Sequence, residues 1–404
     1  MAPTRRIRDF LGLQPGMVGL LGMVVLVGMG ERLAERFLPV YLIALGGSAI
    51  SVGLLNGLDN LLSALYSFPG GYLSDRLGVK RALLVFNLMA MAGFVVVILV
   101  PVWQAVIAGS VLFLSWTAIS LPATMSLVAQ VLPKTKRTMG VTMHSLVRRF
   151  PMAAGPIVGG LCIDAWGART GVRLAFVAAL AMAGLALVLQ QVLIPKDRAA
   201  ATPGARAPAA HPFRMLRQMP AALRQLLVAD ILVRFCEQIP YAFVVIWCMK
   251  TVAHPVSGTQ FGVLTAIEMA TAVLIYIPVA WLADRTTKKP WVVVTFGFFT
   301  LFPVVLYFCQ SFGWLAVAFV LRGLKEFGEP TRKALILDLA PEDRQAATFG
   351  TYYLARDTVV SLAAFGGAFL WQLGPAVNFG AAFACGLAGT LWFALHGRDL
   401  GRSA

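Results

Sequence analysis

Charge is scarce in this chain of 404 residues. Only 13% are Asp, Glu, Lys or Arg against 59% hydrophobic, and the mean hydropathy is +0.78. No soluble domain of this length carries so little charge, which leaves a polytopic membrane protein. Histidine is scarcer still. His144, His211, His254 and His396 are dispersed, so no metal centre, no histidine-based catalytic constellation and no enzymatic activity are expected. The five cysteines, Cys162, Cys236, Cys248, Cys309 and Cys385, are odd in number and lack metal-ligand spacing. They read as small buried apolar residues, not as a disulfide framework. There is no Walker loop, so ATP-driven transport has no support, and no cofactor is expected. The basic N-terminus runs into an apolar segment too long for a signal-peptide core, so no cleavable signal is expected.

Basic residues break this pattern. The 34 Lys and Arg stand against 18 Asp and Glu, a formal charge of +16. In a soluble protein that would suggest nucleic acid, but the placement of the charge points elsewhere. Most of the Lys and Arg fall at the termini and in one alternate set of loops, while the other loops hold only Arg169, Arg173 and Lys250. This asymmetry predicts cytoplasmic termini and an even number of membrane spans, with the bilayer and not nucleic acid as partner. Apolar stretches of about 20 residues or more, enough to cross a bilayer, lie near 17–43, 49–73, 81–101, 105–131, 138–162, 173–195, 224–249, 259–282, 291–309, 313–338, 347–371 and 376–396. That is an all-α membrane protein of twelve transmembrane helices. The one long connection, Pro195 to Ala222, is rich in Ala, Pro and Arg. It predicts an N-terminal half over 1–195, a linker over 196–222 and a C-terminal half over 223–404. Its end, Phe213 to Leu227, reads either as an amphipathic interfacial segment or as a plain lead-in to the seventh span.

Between the second and third spans stands Gly70 to Arg81, GGYLSDRLGVKR. Its glycines permit tight turns and its charges cannot sit in lipid, so a short basic surface loop is expected. The stretch Pro278 to Pro290, PVAWLADRTTKKP, echoes it. At a single offset Asp59 falls on Glu268, Pro69 on Pro278, Tyr72 on Trp281, Leu73 on Leu282, and Asp75-Arg76 on Asp284-Arg285. An offset shared by two intramembrane acids, a proline and a loop pair marks an internal repeat.

Several ionisable residues fall inside apolar spans, where a lone charge costs roughly 2.5–3.5 kcal/mol. Span one carries Glu31, Arg32, Glu35 and Arg36. Span seven carries Asp230, Arg234, Glu237, Gln238 and Tyr241 on one helical stripe, so Arg-x-x-Glu occurs in both halves. Span ten carries Arg322, Lys325, Glu326 and Glu329, again read as one stripe, with Arg322 spaced to pair with Glu326. Span eleven carries Tyr352, Tyr353, Arg356 and Asp357. Span four offers Ser115, Trp116, Thr117, Ser120 and Thr124, and span five His144, Arg148 and Arg149. These charges either pair to hold helices together or serve a solute or proton. Asp59 and Glu268, without an obvious partner on their own helix, are the first candidates for proton sites. Glu31 and Glu35 follow, because like charges one turn apart favour protonation of one.

The string G-x-L-x-D-R-x-G-x-K-R in the loop at Gly71–Arg81, with its echo, resembles the signature of the major facilitator superfamily. The resemblance implies two six-helix halves and secondary transport by alternating access. It implies that spans one, four, seven and ten line a central cavity. Substrate-binding candidates are then Arg32, Glu35, Trp116, Arg148, Arg234, Glu237, Arg322, Glu326 and Arg356. It makes the loop a latch, with Gly71, Asp75, Arg76, Gly78 and Arg81 in one copy and Asp284 and Arg285 in the other. In span five, Gly155-Pro156-Ile157-Val158-Gly159-Gly160 is similar to the GPxxGG string of the superfamily's antiporters, or it is a Gly/Pro-softened helix packing closely on a neighbour. On that string the direction leans to export. The mixed charges suit an organic anion or zwitterion, with protons as the coupling ion and a monomer as the expected state. The alternatives are a multidrug-type proton antiporter for lipophilic cations and, more remotely, an intramembrane lipid-modifying enzyme or a non-transporting sensor.

Overall fold

The computed structural model describes residues 15–114, 116, 120, 137–194, 212–283, 287–341 and 345–398. All regular structure in them is helical, and the twelve crossing helices follow the order of the apolar spans. Helix α1 is Pro15–Glu35, resuming after a two-residue turn as Leu38–Ala44 with Pro39 in its first turn. Next come α2 (Ala49–Leu77), α3 (Val79–Leu99) and α4, described as Trp103–Phe113. The run Arg137–Leu193 is α5 and α6, divided only at Gly167. Helix α7 is Ala221–Gln238. Then follow α8 (Gly258–Ala283), α9 (Lys289–Phe308), α10 (Phe312–Leu324), α11 (Gln345–Leu373) and α12 (Pro375–His396). Among the described residues six runs are long and apolar enough to cross a membrane, and α10 and the described part of α4 are shorter apolar helices. The protein is an integral membrane protein.

The junctions are tighter than the sequence suggests. The expected loop at Gly70–Arg81 is instead helical through Leu77, and the chain turns at Gly78 alone, with φ 84° and ψ 159°. Continued helix pairs every backbone donor and acceptor at the membrane surface, and only glycine adopts that positive φ without strain. The turn between α5 and α6 is likewise one residue, Gly167 at φ 76°, so Arg169 and Arg173 sit on helix and not in a loop. Their Nε groups donate to the carbonyls of Ala44 (3.1 Å) and Ile98 (2.8 Å), at the C-terminal ends of α1 and α3. Cationic donors at helix C-termini satisfy orphan carbonyls and favour the dipole.

Spans seven and ten are broken where single helices were expected. After Gln238 the chain passes through a 3₁₀ turn, Tyr241–Phe243, following Pro240, and closes with a π-helical turn, Trp247–Thr251. Proline removes the amide that would continue the ladder. Helix α10 ends at Leu324, and a separate helix, Glu329–Leu339, begins after a turn, with Pro330 in its first turn. The lead-in to α7 is a short helix, Pro212–Arg217, from which Leu216 packs on the core.

The chain divides into two compact units. One comprises Met1–Gly47, Leu62–Ala205 and Ser257–Val263; the other Ser48–Leu61, Arg206–Val256 and Leu264–Ala404. These units differ from the expected halves at the starts of α2 and α8, which the sequence repeat sets on one another. In the first unit, α1 lies close against α5 and α6. A methyl group on Gly159 would stand 2.0 Å from the Leu33 carbonyl oxygen, and one on Gly155 2.7 Å from the Arg32 Cβ. Phe94, Phe113 and Phe176 fill the space among α3, α4 and α6, with ring centroids 5.2–5.8 Å apart. In the second unit Leu223, Leu226, Phe296, Phe299, Tyr352 and Phe393 form the centre of a core joining α7, α9, α11 and α12.

Candidate functional site

Lipid offers a charged group no solvation, so charged groups within the spans must find one another. In the second unit they do so as a continuous chain of ion pairs. Asp230 of α7, 1% exposed, accepts from Tyr352 Oη at 3.0 Å and Arg356 Nη1 at 3.4 Å, and pairs with Arg332. Arg332 Nη2 reaches both carboxylate oxygens of Glu329 at 2.7 Å. Glu329 Oε2 accepts from Arg234 Nη2 at 3.2 Å, and Arg234 Nη1 donates to Glu237 at 2.6 Å. Glu237 also pairs with Lys325, which lies 3.8 Å from Glu268, and Glu268 meets Arg322 Nε at 3.3 Å.

Each carboxylate in the chain thus stands between cations. Five cations (Arg234, Arg322, Lys325, Arg332, Arg356) face four carboxylates (Asp230, Glu237, Glu268, Glu329), with half-buried Asp357 closing the Arg356 end at 2.7 Å. Aromatic faces support the cations. Arg356 lies 4.1 Å from the Tyr353 ring centroid, Arg234 5.2 Å from Phe299, and Arg322 5.3 Å from Phe302. Ring quadrupoles stabilise desolvated cations at such distances.

Arg234, Glu237, Arg322 and Arg356 all belong to this chain. Arg322 does not pair with Glu326 as its spacing suggests: α10 ends at Leu324, the turn carries Glu326 off the stripe, and Glu268 takes the guanidinium. Glu268 is therefore partnered, across helices, by Arg322 and Lys325. Arg332 was not among the candidates taken from the sequence; it is 1% exposed and central to the chain. A signal was available, since Glu329-x-x-Arg332 repeats the spacing of the other pairs, reversed.

The first unit is organised differently. Arg32 pairs with Glu35 at 2.7 Å on α1. Arg148 of α5 lies within the electrostatic reach of Glu31, Arg32 and Arg149. Trp116 is 5% exposed and donates to Asn87 Oδ1 at 2.8 Å, so it is held inside the helix bundle. Asn87 continues to Gln190 Oε1 at 2.6 Å, and Gln190 Nε2 to the Lys80 carbonyl at 2.9 Å. Lys80 Nζ then donates to the Gln191 and Ile194 carbonyls at 2.8 and 2.7 Å, at the end of α6. Asp59 lies on α2. Gly71, Asp75 and Arg76 lie on helical backbone, but their side chains fall outside the described residues, as do Asp284 and Arg285 altogether. Gly78 forms the turn and Arg81 is exposed on α3. The glycines of the GPxxGG string meet neighbours closely: Gly155 and Gly159 face α1, and Gly160 approaches Gly258 at the start of α8. Among the described residues no group of His, Cys, Asp and Glu is placed to hold a metal ion.

Residues 20–255 and 226–404 each match the family model described as Major Facilitator Superfamily. No curated protein matches the sequence. Solved structures with the same fold include a peptide transporter POT in complex with sulfate, at 14% identity and a TM-score of 0.75, covering 94% of this chain and 93% of that one. A POT family transporter in complex with 5-aminolevulinic acid gives 12% and 0.74, covering 93% and 94%. The nucleoside transporter NupG gives 13% and 0.76, covering 93% and 99%. At these identities the likeness is one of fold.

Proposed function

The chain belongs to the Major Facilitator Superfamily, and from that premise we propose that it is a proton-coupled secondary transporter of a small organic anion or zwitterion, working by alternating access. The observation that carries this reading is the buried chain of ion pairs, in which carboxylates and cations alternate across the helices of one unit. Its Glu268 end offers a way to couple solute to proton. A proton on Glu268 removes the charge that neutralises Arg322, and a carboxylate-bearing solute then takes that place. Departure of the solute lets the proton leave. 5-Aminolevulinic acid, held by one of the similar transporters, is a zwitterion of the chemical class proposed.

Asp59, the repeat partner of Glu268, and Glu31 and Glu35 on α1 are the further proton sites in this reading. Arg32, Glu35, Arg148, Arg234, Glu237, Arg322, Glu326 and Arg356 serve the solute, whereas the buried hydrogen bond of Trp116 favours a packing role for it. The turn at Gly78, with Gly71, Asp75, Arg76, Arg81, Asp284 and Arg285, serves as a latch. Both termini are cytoplasmic and the protein acts as a monomer. Export is the direction suggested by the GPxxGG string, which with proton and solute moving together is efflux down the solute's own gradient; the close contacts of its glycines give that string a packing role as well.

The test is a thermal-stability screen of the purified protein against organic acids, amino acids, amines and lipophilic cations at acidic and alkaline pH. A ligand at about 100 times its dissociation constant adds about 2.7 kcal/mol to the state it binds. Stabilisation by anions or zwitterions is expected. Stabilisation by lipophilic cations alone contradicts the reading and favours multidrug antiport.

A further inference from the structure

The face of α1 that its own unit leaves incompletely buried changes character along its length. Val18, Gly22, Val25, Leu26 and Met29 occupy it first, then Arg32, Glu35 and Arg36. Val18, Val25 and Arg32 recur at intervals of seven, as do Gly22, Met29 and Arg36, so apolar and charged parts share one stripe. The apolar part lines a cleft of about 440 Å³ with Val147 of α5 and Leu21, and no polar atom lines it. That volume is within the range of small-molecule sites. Val147 is followed in the chain by Arg148, which acts electrostatically with Arg32, Glu31 and Arg149. Arg148 thus stands among two further cations, Arg32 and Arg149, and one carboxylate, Glu31. From Val25 to Arg32 the helix rises by roughly 10 Å.

We propose that the transported anion is amphipathic and docks at a station separate from the Arg322 position: there its acidic group is drawn to the Arg32–Arg148 cluster and its apolar body lies in the α1–α5 cleft. This rests on the transporter reading above and narrows it. A fully hydrated anion gains nothing from a dry wall about 10 Å long beside its binding charges, whereas a carboxylate bearing an alkyl or aryl chain buries that chain there. A guanidinium with two cations and one carboxylate about it favours an acid over an amine, so the occupant is neither a lipophilic cation nor a neutral lipid tail.

The test measures thermal stabilisation of the full-length purified protein by straight-chain carboxylates from acetate to decanoate, beside alkylammonium salts of the same lengths. Apparent affinity of the carboxylates is expected to tighten about fourfold per methylene and then level off once the cleft is filled. Val25→Trp, which fills the cleft without touching a charge, is expected to move that levelling to shorter chains and to leave the shortest acids unaffected. A second substitution, Leu26→Ser, should flatten the dependence on chain length. The proposal is overturned if carboxylate affinity does not depend on chain length. It is equally overturned if carboxylates and ammonium salts rise alike in the wild type and in Val25→Trp, the behaviour of simple partition into detergent. Binding of polar anions such as amino acids without chain-length dependence would sink this inference and spare the transporter reading. Failure of every anion, short or long, would sink both.

Discussion

The two units differ in how they treat their buried polar groups. In the first, α1 and α5 are brought together by glycines, and buried Trp116, Asn87 and Gln190 form a neutral hydrogen-bonded relay, apart from the Arg32–Glu35 pair on α1. In the second, nine charged side chains are linked end to end among aromatic rings. A neutral relay fixes helices at low electrostatic cost. A buried ion-pair chain adds little net stability over an apolar core, because desolvation offsets most of the Coulomb attraction. Charges in such a setting are retained for what they bind or conduct. On the reading proposed above, the second unit's chain serves transport and the first unit's relay holds helices together.

The comparison breaks most visibly at Asp230. Asp230→Ala leaves Arg332 and Arg356 without their shared carboxylate and Tyr352 without its acceptor, so a loss of about 3–5 kcal/mol is expected by thermal or denaturant unfolding. Removing both members of a pair sharpens the contrast. Glu268→Leu with Arg322→Met is expected to leave stability unchanged or raise it by about 1–4 kcal/mol while transport is lost. If the double variant is as unstable as a single one, the chain is structural. In the first unit, Gly159→Ala drives a methyl into the Leu33 carbonyl and is expected to cost about 1–3 kcal/mol, read in the same unfolding assay. Smallest is Lys80→Met, which removes the cationic cap from the end of α6; about 0.3–1 kcal/mol is expected, with solute affinity unchanged.

The helices were legible in the sequence because a bilayer demands long apolar runs. The Arg-x-x-Glu pairs on α1 and α7 were legible for a local reason: i,i+3 spacing places the partners on one face. What was not legible depends on where helices stop. The basic stretch after Pro69 looked like a loop, yet helix continues to Leu77, since charge says where lipid ends and not where the backbone ladder ends. The stop at Leu324 redirected Arg322 from Glu326 to Glu268, a partner more than fifty residues away that no helical period can indicate. Arg332 was missed for the same reason, because helix resumes at Glu329 and turns it inward onto Asp230. Trp116 looked like a cavity wall, but the Asn87 that holds it lies on another helix, α3.

The most direct test of the central claim is solute and proton movement in liposomes containing the protein or its Glu268→Gln variant, using an organic anion that stabilises the purified protein. The wild type is expected to move protons when the anion gradient is imposed. Glu268→Gln, fixed in the uncharged form, is expected to exchange the anion across the bilayer without moving protons. Proton movement by Glu268→Gln equal to that of the wild type would contradict the assignment of Glu268 and of the ion-pair chain it ends.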